Sequence, residues 1–138
     1  MQEQDFAEKF LRVFSAGDVV FEEDSVGRQM YVVNAGSVNV LKRADGGPVQ
    51  VGTLVPGDIF GEMALVDDLP RSATVVAAED DTRLLEIDHA LFVYLVGQQP
   101  AFALMVLKAM SLRLRTQYGQ HAPVAHPGHA GRDGGNAG

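Results

Sequence analysis

Glycines suited to turns recur at Gly17, Gly27, Gly36, the Gly46 and Gly47 pair, and Gly57. Turns spaced by roughly 8 to 12 residues, with short apolar or alternating runs between them, are the pattern of an all-β sandwich or barrel. The runs are Leu11 to Phe14, Val19 to Phe21, Met30 to Val33, Val38 to Leu41, Val49 to Leu54, Ala73 to Ala77 and Arg83 to Ile87. Asp45-Gly46 is a hairpin signal, because glycine accepts the positive φ of a tight turn. Seven or eight strands of this kind suit a jelly roll, and an eight-stranded jelly-roll β-barrel is the expected fold. Spacing alone leaves the pairing order open.

After Ile87 the hydrophobic period changes. His89 to Val96 predicts a short helix with His89 on its surface, and Pro100, well placed at a helix start, opens a longer one to about Tyr118. Ala103, Leu107, Met110 and Leu114 form one stripe of that second helix, with Leu107, Met110 and Leu114 assigned to the core. Phe102, Met105, Val106, Ala109 and Leu112 spread over another face. One barrel surface uses one stripe, so the other calls for a partner, either a second copy of this chain or an effector protein. From Gln120 the sequence is rich in Gly, His, Ala and Pro and has too little apolar surface to offset its ordering entropy. The expected division is a domain over residues 1–118 and a disordered tail over 119–138.

A chain of 138 residues, 46% hydrophobic, is sufficient for one domain with a real core. Its formal net charge of -7 offers no electrostatic footprint for DNA or RNA. The absence of Cys excludes disulfides and thiolate metal sites. His121, His126 and His129 sit in the Gly-rich tail, where they read as solvated residues, so no metal is expected. Met1 to Glu8 is acidic and polar, unlike a signal peptide, and no apolar run reaches membrane-spanning length. A cytoplasmic protein with neither a DNA nor a membrane partner is the expectation.

The segment Phe60 to Val75 places Glu62 and Arg71 between strands, with Asp67 and Asp68 lying between them in sequence. Gly61 followed by Glu62, Met63, Ala64 and Leu65 predicts a tight turn opening one helical turn, whose free N–H groups form a phosphate cradle. Arg71 adds a planar fork of donors for two phosphate oxygens, and Glu62 an acceptor for a sugar hydroxyl. Together they fit a ribose phosphate. A structural ion pair between Glu62 and Arg71 is the plain alternative.

These features resemble the cyclic nucleotide-binding domains of catabolite activator proteins, kinase regulatory subunits and gated channels, over about Leu11 to Gln117. Gly17-Asp18-Val19-Val20-Phe21, Met30-Tyr31-Val32-Val33 and Gly36-Ser37-Val38 are similar to the family's opening strands. Phe60 to Leu65 with Pro70-Arg71-Ser72-Ala73-Thr74 resembles its phosphate-binding cassette, and Phe92, Leu95, Pro100 and Leu112 to Arg115 its hinge and lid helices. The resemblance implies that Glu62 accepts from the ribose 2′-hydroxyl and that Arg71 binds the exocyclic phosphate oxygens. Backbone contacts would come from Gly61, Met63 and Ala64, a hydroxyl from Ser72, and the rest of the ligand site from Phe60, Ala73 and Thr74. Thr116, Gln117 and Tyr118 are the candidate base lid. Ser72, where Thr often accompanies a preference for cGMP, favours cAMP as the ligand.

Two positions depart from the family pattern. Asp24 stands where glycine usually turns the strand, and Arg28 replaces a commonly acidic or small residue, so the hairpin there is expected to be rebuilt. Beyond the last helix no helix-turn-helix, kinase or pore is expected, which makes the chain read as a stand-alone receptor domain. Catalysis is disfavoured, because Arg71 would keep a nearby carboxylate ionised and no nucleophile elbow or triad order occurs. The leading function is therefore a regulatory sensor whose C-terminal helix relays ligand binding. The competing one is a degenerate member of the family, acting as a protein-interaction module without nucleotide.

Overall fold

The computed structural model describes residues 9–108. Its strands are β1 (Leu11–Phe14), β2 (Val19–Phe21), β3 (Met30–Ala35), β4 (Val38–Ala44), β5 (Gly47–Leu54), β6 (Ile59–Phe60), β7 (Thr74–Ala77) and β8 (Thr82–Ile87). A 3-10 turn, Glu62–Leu65, interrupts the strands, and helix α1 (His89–Gln98) follows them. Residues 100–108 form a second helix, α2, which reaches the end of the described residues. The strands make two antiparallel four-stranded sheets, ordered β1-β8-β3-β6 and β2-β7-β4-β5. This is the jelly-roll pairing that the spacing left open. The predicted strands are present with small shifts at their ends. The two-residue β6 has no counterpart among the predicted runs, because a pair of apolar residues carries no period.

Alternation along the strands builds two cores. Tyr31, Val33, Val38, Val40, Phe60, Val75 and Leu84 fill the space between the sheets. Met30, Ile87, Leu91 and Val106, with Val32, Ile59, Leu65 and Phe102 packed against them, join the outer face of the first sheet to the helices. The period of two in β3 thus sends Tyr31 and Val33 inward and Met30 and Val32 outward. Asp88 caps α1, its Oδ1 accepting the Leu91 N–H at 2.8 Å, which fixes the start at His89.

One assignment of the helix stripes is corrected. Val106 is buried and Phe102 packs beside it, whereas Leu107, expected in the core, is 59% exposed. Neighbouring helix positions are about 100° apart, so a stripe shifted by one residue has nearly the same sequence period. Contact with the sheet selects the Phe102 and Val106 face. Met110, Leu114 and the remaining stripe residues from Ala109 onward, together with the tail, lie outside the described residues.

The turn glycines serve different purposes. Asp45-Gly46 makes the predicted β4–β5 hairpin, with Ala44 opposite Gly47, and Gly46 at φ 90 has open space where a Cβ would stand. Gly36, at φ 79, instead approaches β8, where a Cβ would lie 2.4 Å from Thr82 Oγ1 and 2.7 Å from Thr82 Cα. Urea unfolding should therefore separate them. Gly36→Ala is expected to cost about 2 to 4 kcal/mol, combining backbone strain with a clash. Gly46→Ala should cost only about 1 kcal/mol. Equal losses would show that the approach to Thr82 does not limit position 36.

Candidate functional site

The site is built where the first sheet meets the loop between β2 and β3. Strand β6 pairs with β3, placing Phe60 opposite Tyr31, and their rings stack with centroids 5.2 Å apart. Immediately after Phe60, Gly61 takes φ 75 and turns the chain into the 3-10 segment. Gly61 O accepts the Ala64 N–H at 3.1 Å, and Met63 O accepts those of Val66 and Asp67. The Glu62 side chain points into the protein and is fully buried. Met63 remains partly exposed, so the segment alternates between anchoring and facing solvent.

Arg71 is 7% exposed, a low value for a cation. Its Nη2 donates to Gln29 O at 2.9 Å and its Nη1 to Gly61 O at 3.4 Å. The guanidinium carbon lies 4.0 Å from the centroid of the Phe21 ring, close enough for a cation–π attraction. The Nε is buried with no hydrogen-bond partner. Burial lowers the Arg71 pKa from the ordinary arginine value, and the neighbouring Tyr31 opposes that shift. None of the ion pairs among the described residues joins Arg71 to Glu62, so the plain ion-pair reading of this couple is not the arrangement seen. A desolvated guanidinium held by neutral carbonyls and a π face keeps its full charge to offer an anion.

Two glycines make room for it. A Cβ on Gly27 would stand 2.6 Å from Arg71 Nη2, and one on Gly61 3.0 Å from Nη1. Gly61 was among the sequence candidates, but Gly27, Phe21 and Gln29 were not. Gly27 was visible as a turn glycine, yet its role is close approach to a side chain 44 positions away (71 − 27). Only the fold brings that partner to it.

The other candidate residues fall into distinct places. Phe60 and Ala73 are buried in the inter-sheet core. Thr74 opens β7, and its Oγ1 accepts the Glu23 N–H at 2.8 Å. Ser72 is exposed beside Arg71. Thr116, Gln117 and Tyr118, the candidate lid, lie outside the described residues. The departures at Asp24 and Arg28 have local answers. Asp24 adopts φ 72, the conformation that a glycine would take there, and Arg28 pairs with Asp68 at 3.3 Å. That pair offsets one of the acidic charges near Arg71, while Asp67 Oδ1 accepts the Leu69 N–H at 3.1 Å.

A sequence profile of the cyclic nucleotide-binding domain matches residues 11–99, the stretch that contains both sheets, the 3-10 turn and Arg71. The chain belongs to the cyclic nucleotide-binding domain family. The cAMP-dependent protein kinase regulatory subunit of Mycosarcoma maydis is 38% identical over 91 residues, which are 63% of this chain and 17% of that protein. The crystal structure of the Thermus thermophilus catabolite activator protein is 33% identical with a TM-score of 0.70, covering 82% of this chain and 54% of that one. A structure from work on a cyclic-GMP-dependent signalling pathway that regulates bacterial phytopathogenesis is 32% identical with a TM-score of 0.65, covering 83% of this chain and 94% of that one. The chain spans less than half the length of the curated relatives compared, from 8% to 48%.

Within the cyclic nucleotide-binding domain, an orphaned buried Nε and two glycines that a methyl group would obstruct fit an anion at Arg71. Among the described residues no group of His, Cys, Asp or Glu could hold a metal ion, and no helix is long and apolar enough to cross a membrane.

Since desolvation works against the Arg71 cation, the ligand-free fold should gain little from it. Arg71→Met, which keeps the length and removes the charge, is expected to lower unfolding free energy in urea by no more than about 1 to 3 kcal/mol, since relief of desolvation offsets part of the cost of leaving the Gln29 and Gly61 carbonyls unpaired. A loss above about 3 kcal/mol would make Arg71 a structural cation first.

Proposed function

We propose that this domain is a regulatory sensor, not a catalyst, and that it binds a cyclic nucleotide, cAMP in preference to cGMP. The observation that carries the reading is the desolvated Arg71 guanidinium, enclosed by Gly27 and Gly61 and held by neutral groups. Arg71 takes the exocyclic phosphate, and Glu62, at the start of the adjoining 3-10 turn, takes the ribose 2′-hydroxyl. Gly61, Met63 and Ala64 supply main-chain contacts and Ser72 a hydroxyl. The preference for cAMP rests on Ser72 following Arg71, and on the relationship to a kinase subunit named for cAMP dependence. The relative from a cyclic-GMP pathway makes the comparison of both nucleotides necessary.

A route for the response is supported by packing. Leu65 closes the 3-10 turn and packs in the cluster that holds Leu91, Phe102 and Val106. A nucleotide that pulls the turn towards its phosphate therefore acts on the seat of α1 and α2. The outer side of α2, with Leu104, Met105 and Leu107 exposed among the described residues, carries the signal to a second copy or an effector protein.

Calorimetric titration with cAMP and with cGMP tests the reading. Arg71→Ala is expected to weaken binding roughly 30-fold to 100-fold, the loss of a charge-assisted contact with two phosphate oxygens. Ser72→Ala should cost only about threefold to tenfold. Gly27→Ala, which leaves the charge but displaces the guanidinium, should cost about tenfold. No heat from either nucleotide would overturn the sensor reading in favour of a protein-interaction module. Equal affinity of wild type and Arg71→Ala would place the site elsewhere.

The proposed output has its own measurement. Light scattering should report a change in association between the ligand-free and cAMP-saturated protein, reduced in Leu104→Glu. A monomer in both states, together with no captured effector, would remove α2 as the output surface.

A further inference from the structure

The loop between β2 and β3, residues 22–29, forms the second wall around Arg71, and charged side chains outside the ligand-facing set hold it there. Asp24 sits at φ 72, a conformation that glycine enters freely and aspartate with more difficulty. The Asp24 N–H donates to Arg71 O at 2.8 Å, and the Arg71 N–H donates to Ser25 O at 2.8 Å. The main chain of Arg71 is thus docked against these two residues.

Arg43, near the end of β4, fastens the same loop from the other side. Its guanidinium donates to the Asp24 carboxylate and stands 3.8 Å from Glu23 Oε2. Its main-chain N–H donates to Glu23 Oε1 at 2.9 Å. One residue of β4 therefore grips both residues that precede Ser25. Arg43 and Asp24 are well exposed, and exposed pairs add little to global stability. Their effect is on where the loop sits.

We propose that Arg43 and Asp24 are positioning residues for nucleotide binding, whose ion pair holds the residue 22–29 loop so that the Arg71 main chain and guanidinium stay in register with Gly61. The proposal rests on the nucleotide reading above and deepens it. It makes affinity sensitive to ionic strength through a contact that does not touch the phosphate. In this chain an ion pair supports the turn that the family pattern leaves to glycine.

The test uses the full chain with Asp24→Asn, Asp24→Gly, Arg43→Gln and Arg43→Lys, since asparagine and glycine both accept the left-handed turn without the charge. Amide exchange at Asn or Gly in position 24 is not needed, because the Arg71 amide reports docking in the ligand-free protein. Asp24→Asn, Asp24→Gly and Arg43→Gln are expected to speed exchange at Arg71 and lower cAMP affinity, each by about threefold to tenfold, with an unchanged urea midpoint in Asp24→Asn and Arg43→Gln. Arg43→Lys should keep most of the wild-type affinity. The double variant Asp24→Asn with Arg43→Gln should lose no more than Arg43→Gln alone, since that substitution already cuts the link to Asp24. Raising salt from about 50 to 500 mM should weaken the wild type more than Asp24→Asn. Unchanged Arg71 exchange in all three neutral variants, or fully additive losses in the double variant, would overturn the inference. If the wild type binds neither nucleotide, the sensor reading fails, while exchange at Arg71 still decides whether the ion pair docks the loop.

Discussion

A guanidinium withdrawn from water must be surrounded by acceptors and polarisable surface, and Arg71 draws these from three separated parts of the chain. Phe21 supplies a ring face, Gln29 a carbonyl, and Gly61 another carbonyl together with the space that a side chain would fill. Gly27 supplies the remaining clearance. Each requirement is modest alone. Together they tie the β2–β3 loop, the end of β6 and the segment before β7 to one side chain, so the local geometry of all three follows from its burial.

The sheet β1-β8-β3-β6 connects this corner to the rest of the molecule because both of its faces are covered. Through Tyr31 and Phe60 it contributes to the inter-sheet core beside Phe21, with Tyr31 centred 6.0 Å from that ring. The Tyr31 hydroxyl donates to Glu86 at 2.8 Å, and burial is the main cause of its raised pKa, with the Glu86 contact adding to it. Through Met30, Val32 and Ile87 the same strands seat the helices. A change at the 3-10 turn meets both cores at once: Glu62 is buried at its start, and Leu65 packs under the helices at its end. Close-packed interiors pass such displacements to their neighbours instead of absorbing them.

Much of this was legible in the residues. Glycine-separated runs marked seven of the eight strands, Asp45-Gly46 marked the hairpin, and Glu62 and Arg71 around one turn marked the candidate site. Those signals are local: a positive φ, a period of two, or the chemistry of a charged side chain. Other features carried no local signal. Strand β6 is too short to show a period, and the exposure of Leu107 with burial of Val106 depends on which side of α2 meets the sheet. Asp24 looked like a defect in the turn, yet its side chain finds Arg43, 19 residues away in sequence.

From sequence alone came the strand-forming runs, the change of period after Ile87, and the identity of the charged pair, because backbone sterics and side-chain chemistry are properties of short segments. Tertiary structure decided that Arg71 would face Gly27 and the Gln29 carbonyl while Glu62 was buried at the turn beside it, and that Arg28 would neutralise Asp68. Those contacts depend on the order β2-β7-β4-β5 in one sheet and β1-β8-β3-β6 in the other. Pairing between strands distant in sequence sets which loops become neighbours, and no single segment encodes that choice.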